Sequence, residues 1–191
     1  MKDRLNIRDG DDNALLESII TSVSRQIDDE CNRRFYAASE TRYFAADEDG
    51  RLFVPDLLSV TVGGLKTDAD GDGVYEQTWA ATDFALYPLN ALLDGAAYRE
   101  IRTTPGGNYS FPVAWWTDGA LVQITGSFGY AAATPPVIED ACLFQAALLF
   151  HAKDAPEGVS GAGEFQQTIT AVGLHPFTRR MIFPYKRLVA A

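Results

Sequence analysis

Between Asp68 and Gly73 the chain reads DADGDG, with aspartates at alternate places and two glycines, followed by VYEQTW up to Trp79. An EF-hand calcium loop places oxygen ligands at its first, third and fifth positions, glycine at the sixth and a bidentate glutamate at the twelfth. Asp68, Asp70, Asp72 and Gly73 meet the first four demands, Glu76 stands at the ninth position, and the twelfth is Trp79. Losing that glutamate removes two coordinating oxygens, and the flanks LSVTVGGLK and YEQTW have strand rather than helix character. Two readings follow. The run is an acidic turn between strands, where Asp and Gly are favoured for backbone reasons, or it is the core of a calcium-dependent binding module using Asp68, Asp70 and Asp72.

Other reactive residue types are scattered. His151 ends an apolar helical pattern and His175 precedes Pro176, and neither has Cys, Asp or His at metal-ligand spacing. The sequence holds no G-x-S-x-G, no P-loop and no strand-linked G-x-G-x-x-G. Asp28, Asp29 and Glu30 read as a solvated helix face, and the doublet Trp115–Trp116 as one core and one surface ring, since neighbouring strand residues face opposite ways. Cys31 and Cys142, each inside an apolar pattern, read as small buried hydrophobes. The polar start MKDRLNIRDGDD predicts no secretion signal and hence a reducing compartment. No enzyme, no cofactor and no firm metal site is expected.

Helices and strands must position these groups. DDNALLESIITSVSRQIDDECNRRF carries Leu16, Ile19, Ile20, Val23, Ile27 and Cys31 at helical spacing, predicting a helix over 12–35 capped by Asp11, Asp12 or Asn13, with Arg33 and Arg34 at its end. Residues 41–130 read as an antiparallel sheet built from TRYFAA, RLFV, LSVTVGGLK, DFALYP, AYREIRTT and ALVQITGSFGY, with DEDG and DADGDG among the turns. PPVIEDACLFQAALLFHAKD predicts a helix over 136–153, opened by Pro136 and apolar on nearly every side, so every side needs a cover. Residues 157–174 read as a flexible linker and 175–191 as a docking segment broken at Pro184. The fold class is therefore α+β: two main packed helices flanking an antiparallel β-sheet insert, with a C-terminal docking tail, and residues 1–156 as the principal domain.

Charge separates two surfaces. The formal net charge is −10, which disfavours sequence-reading nucleic-acid binding. From Gly158 onward Glu164 is the single acid against Arg179, Arg180, Lys186 and Arg187, so this tail is +3 and the rest −13. Phe177, Met181, Ile182, Phe183 and Tyr185 lie among those basic groups, more apolar surface than so short a segment buries alone. No apolar run approaches the roughly 20 residues that span a bilayer.

The opening helix with its aromatic exit, the turn DADGDGVYEQTW followed by DFALYPLNA, then GSFGYAAATPPVIEDACLFQAALLFHAKD and the closing HPFTRRMIFPYKR, in that order, resemble the head-tail connector (adaptor or head-completion) proteins of long-tailed phages, gp6-like and gp15-like. The resemblance implies a structural subunit of the virion head-tail junction, assembled in the host cytoplasm. It implies a homo-oligomeric ring, about twelvefold, under the portal protein, which extends the DNA channel and receives a tail-side stopper or terminator. DNA passes without sequence-specific binding, and no membrane is involved. It further implies portal docking by the tail, through Arg179, Arg180, Lys186 and Arg187 with Phe177, Phe183 and Tyr185 as anchors, and a domain that stays folded when cut after Gly173. It favours the hairpin reading of DADGDG.

Overall fold

The structure, a computed structural model, describes residues 12–47, 50–112, 120–152, 159–160, 167–168 and 173–187. The chain divides into two compact units, Met1–Arg33 with Pro135–Ala191, and Arg34–Thr134. The β-rich unit is thus an insertion between two helices, the α+β arrangement that the patterning predicts.

In the helical unit, α1 spans Asn13–Cys31 and buries Leu16, Val23, Ile27 and Cys31, the inner line of the predicted stripe. Each such side chain contributes about 1.5–3 kcal/mol by leaving water. The helix is shorter than the 12–35 expected. Asp12 stands at the N-cap without a side-chain cap bond, and Asn32 ends the helix in the left-handed region at φ 50, so Arg33 and Arg34 lie beyond the last turn. Asn tolerates that conformation better than most residues do. The second helix, α2, spans Pro136–Ala152 and buries Ile138, Ala141, Cys142, Gln145, Ala146 and Phe150. Of its remaining apolar groups, Leu143, Phe144, Ala147, Leu148 and Leu149 are half-exposed and Val137 is exposed. A third helix, α3, spans Pro176–Ile182 and runs into a 3-10 turn at Phe183–Tyr185.

In the sheet unit the strands are β1 (Ala38–Phe44), β2 (Arg51–Thr67), β3 (Gln77–Thr78), β4 (Phe84–Tyr87), β5 (Tyr98–Thr103) and β6 (Val122–Phe128). They form one antiparallel sheet in the order β1-β6-β2-β5-β4, with β3 hydrogen-bonded to β2. RLFV and LSVTVGGLK, separate runs in the sequence reading, are one strand. Pro55, which has no N–H to give a ladder, falls where the register to β5 shifts between Phe53 and Leu57. Against β6 the register shifts between Leu57 and Ser59 and again between Val60 and Leu65. There Gly63 has φ 67, and a Cβ on Gly64 would sit 2.3 Å from the Thr125 carbonyl oxygen, so the close approach of β2 to β6 requires glycine. The core gathers Leu52, Val54, Leu57, Leu65, Trp79, Ile101, Phe111, Val122, Ile124 and Phe128.

Within the expected linker, Val159–Ser160 (β7) and Gln167–Thr168 (β8) pair antiparallel. The rest of 157–172 lies outside the described residues, as do Trp115, Trp116, Asp11, Lys153 and the centre of DEDG. Among the described residues no helix is long and apolar enough to cross a membrane.

Candidate functional site

The acidic loop joins β2 to β3, where Thr67 pairs with Gln77. Asp68, only 2% exposed, staples it: one carboxylate oxygen accepts from Gly71 N–H at 2.7 Å, the other from Gly73 N–H at 2.8 Å. Burial pushes the Asp68 carboxyl up, but the Gly73 and Gly71 N–H groups outweigh it and hold it below the usual range. Asp70 accepts from Asp72 N–H at 3.4 Å, and Asp72 from Val74 N–H at 2.7 Å. Alternate aspartates here each serve a backbone donor, which is the local reason for the spacing.

Ligand oxygens of Asp68, Asp70, Asp72 and Glu76 all lie within 4.8 Å of one another, a hard-cation donor set in type. The twelfth position decides against EF-hand geometry. Trp79 is buried at 2% exposure, its ring stacks on Phe111 at 4.7 Å, and its indole N–H donates to Thr67 Oγ1 at 3.0 Å. The closing ligand is thus replaced by a core anchor. The residues do not fit an EF-hand calcium site. Titrating the protein with millimolar calcium in a calorimeter is expected to give no stoichiometric heat; a stoichiometric heat that Asp70→Ala removes would restore the calcium reading.

Asp83, which sequence reasoning missed, is a second buried staple. Its Oδ1 accepts from Asn108 N–H and from Asn108 Nδ2, both at 3.1 Å, and its Oδ2 from Ala80 N–H at 2.9 Å. The Asn108 and Ala80 N–H groups lower its carboxyl. Glu40 is held at about 2, from an ordinary 4.5, first by hydrogen bonding from Arg34 and then from Arg42. The Arg102 side chain likewise lowers Glu100. Folded-state values below the unfolded ones mean that the unfolded chain takes up protons first on acidification. The resulting stabilisation is complete above about 4.5 and disappears as pH falls through about 2. We expect the urea midpoint of the sheet unit to be level at neutral pH and to drop below pH 4.5, with Glu40→Gln flattening part of the drop. A midpoint that rises on acidification would contradict this assignment.

The second candidate surface is the C-terminal segment. Read from the sequence as a docking segment, it packs on its own helical unit. Gln145, buried in α2, accepts from His175 N–H at 2.8 Å and from Thr178 Oγ1 at 3.1 Å. His175 caps α3, its Nδ1 accepting from Phe177 N–H at 3.1 Å. Phe144 meets the rings of His175 and Phe177 at 5.5 and 5.0 Å. Farther on, Arg187 N–H donates to the Cys31 carbonyl at 2.9 Å, and Lys186 Nζ lies 3.1 Å from Glu30 Oε1. Thr178 and Ile182 are buried, whereas Phe177 and Phe183 are 51% and 74% exposed. Arg179 and Arg180 are exposed beside them, and Tyr185 and Arg187 are half-buried. Of the predicted docking set, Phe177, Arg179, Arg180 and Phe183 are exposed, while Lys186 and the Arg187 backbone are used within the chain. Cutting after Gly173 would strip a packed helix from Gln145 and Cys31.

His151 is exposed at the end of α2. Cys31 and Cys142 are free and buried. Burial, and then the Glu30 carboxylate, push the Cys31 thiol up to about 11; burial also raises Cys142, so neither is a nucleophile at neutral pH.

No family model matches the sequence, and no curated protein does. Solved structures do. A chain in the neck of an empty GTA particle computed with C6 symmetry aligns at TM-score 0.60 with 18% identity, over 100% of this chain and 88% of that one. A chain in the neck of a native GTA particle computed with C12 symmetry aligns at 0.56 with 17% identity, over 93% and 85%. A chain of the virion of a native gene transfer agent particle gives 0.56 with 18% identity, over 95% and 81%. The α+β fold is shared over nearly the full length of this chain and more than four fifths of each neighbour.

Proposed function

We propose that this chain is a structural head-tail connector of the adaptor or head-completion type, gp6-like or gp15-like, which forms a ring under the portal of a tailed phage or phage-like particle. The observation that carries the reading is the full-length fold shared with the neck chain of the GTA particle at TM-score 0.60. The symmetric neck reconstructions support a ring, and the half-exposed apolar side of α2 supplies surface for a neighbouring subunit. The net charge of −10 suits a conduit that DNA traverses without adhering. A tail-side stopper or terminator takes the opposite end of the ring. The role is structural, without catalysis, and belongs to the head-tail junction.

The portal-facing element in this reading is the exposed set Phe177, Arg179, Arg180 and Phe183. Exposed aromatics beside two arginines have the composition of a binding hot spot, where truncation costs about 2 kcal/mol or more, roughly 30-fold in affinity. Mass photometry and negative-stain imaging of the protein with a candidate portal are expected to show portal-capped rings. Phe183→Ala with Arg180→Glu should weaken that capture by roughly 30-fold or more with no change in melting temperature. Undiminished capture by the double variant would discard the docking surface, and a monomer indifferent to portal would discard the connector reading.

A further inference from the structure

The sheet unit carries two surfaces of opposite charge, separated by most of the length of β2. Near its start lies an open depression of about 380 Å³ lined by Phe53, Tyr87, Pro88, Arg99, Glu100 and Arg102. The strand register sets Phe53, Glu100 and Tyr87 in one row across β2, β5 and β4, and Arg51 and Arg102 in the row two residues away. Glu100 fixes Arg102 through bonds of 2.7 and 2.9 Å to Nε and Nη2, and the guanidinium lies 4.3 Å from the Tyr87 ring centroid. Arg51 stands 3.7 Å from the same carboxylate. Arg99 and Arg102 thus line the hollow with one glutamate, and Arg51 adjoins that glutamate, beside a phenylalanine that is 59% exposed.

Beyond the other end of β2 is the acidic hairpin. Asp68 is buried in its own turn, whereas Asp70, Asp72 and Glu76 are exposed around Val74, itself 57% exposed. A fixed cationic hollow with an apolar floor and a stapled anionic loop with an apolar tip are complementary in charge and in hydrophobic content. Their separation along one strand keeps them apart within a molecule and offers one to each neighbour. Two different complementary patches on the same chain make a heterologous contact, the kind that closes cyclic rings.

We propose that the occupant of the Phe53–Arg99–Arg102 depression is the Asp70–Glu76 loop of a second copy of this chain. This rests on the ring reading above and names the contact within it. Val74 enters beside Phe53 and Tyr87, and Asp70, Asp72 and Glu76 face Arg51, Arg99 and Arg102.

The test is disulfide capture between two exposed positions. One full-length preparation carries Val74→Cys and a second, distinguishable by a mass tag, carries Phe53→Cys; the native thiols stay buried. Under mild oxidation the mixture is expected to form the mixed dimer about tenfold faster than either preparation forms its own dimer, as complementary charge favours the correct encounter. Adding Arg99→Glu to the Phe53→Cys copy should remove that preference, and Asp72→Arg on the Val74→Cys copy should restore part of it, as coupled charges do. Mixed and self dimers forming at equal rates, or a preference indifferent to both charge changes, would overturn the contact. Mass photometry of the unmodified protein with portal separates the two levels. Rings without the disulfide preference reject this contact and leave the connector reading intact; the preference without portal-bound rings supports the contact and rejects the connector.

Discussion

Trp79→Ala is expected to destabilise the sheet unit by about 3–5 kcal/mol, the range for deleting a large buried aromatic, read as a lowered urea midpoint with an unchanged slope. The ring is 2% exposed, among the largest fully buried side chains. It is stacked on Phe111 at 4.7 Å and tilted against Tyr109 at 5.6 Å. A hydrogen-bond chain is lost with it. Trp79 Nε1 donates to Thr67 Oγ1 at 3.0 Å, and Thr67 Oγ1 donates to Gln77 Oε1 at 3.1 Å. That chain ties β3 to the end of β2 at the root of the acidic hairpin. Trp79→Phe keeps most of the packing and removes the indole donor, so it should cost less than half as much. An alanine variant within about 1 kcal/mol of the parent, below any measured range for such a deletion, would show that Trp79 is not the core anchor described. If the hairpin loop is the element passed to a neighbouring subunit, the alanine variant should also weaken assembly more than its loss of global stability explains.

The same residue shows what the sequence could and could not disclose. Position twelve of the acidic run is visibly not a ligand, but that it is a core anchor follows only from long-range pairing of Lys66 with Thr78 and Thr67 with Gln77. Local patterns carry the helices and most strands, because the stripe of α1 and the alternation Val122, Ile124, Gly126, Phe128 report burial at short range. Pro55 reads as a break, since a proline argues against a central strand, whereas the register shift beside it lets β2 continue. The packing of the C-terminal segment has one legible clue. Gln145 is an uncharged polar residue in the apolar middle of α2, and a buried amide demands partners. The sequence shows the demand but not that His175 and Thr178, far along the chain, satisfy it. Asp83 is equally silent, because its donors come from two separate loops.

Gln145→Leu is the second variant expected to have a large effect, and it turns that clue into a measurement. Leucine approximates the glutamine's size but leaves the His175 N–H and the buried Thr178 hydroxyl without their acceptor. An orphaned buried donor costs about 1–3 kcal/mol, so the pair should lose about 2–6 kcal/mol from the docking of α3. Thr178→Val added to Gln145→Leu replaces both members of one bond by apolar groups and should recover a substantial part of the loss, the non-additivity expected of contacting residues. Hydrogen exchange over Pro176–Arg187 and thiol labelling of Cys31 report the release directly, because Cys31 lies against the Ile182 carbonyl at 3.9 Å. In the parent protein that thiol, pushed up to about 11 chiefly by burial, should resist labelling at neutral pH; in Gln145→Leu it should react. If the exposed residues of α3 are the docking set proposed above, portal capture should fall in parallel and should recover with the double variant. Protected amides, an inert Cys31 and unchanged stability in Gln145→Leu would show that Gln145 does not hold the C-terminal helix. Release of α3 with undiminished portal capture would detach docking from the helix while leaving its packing as described.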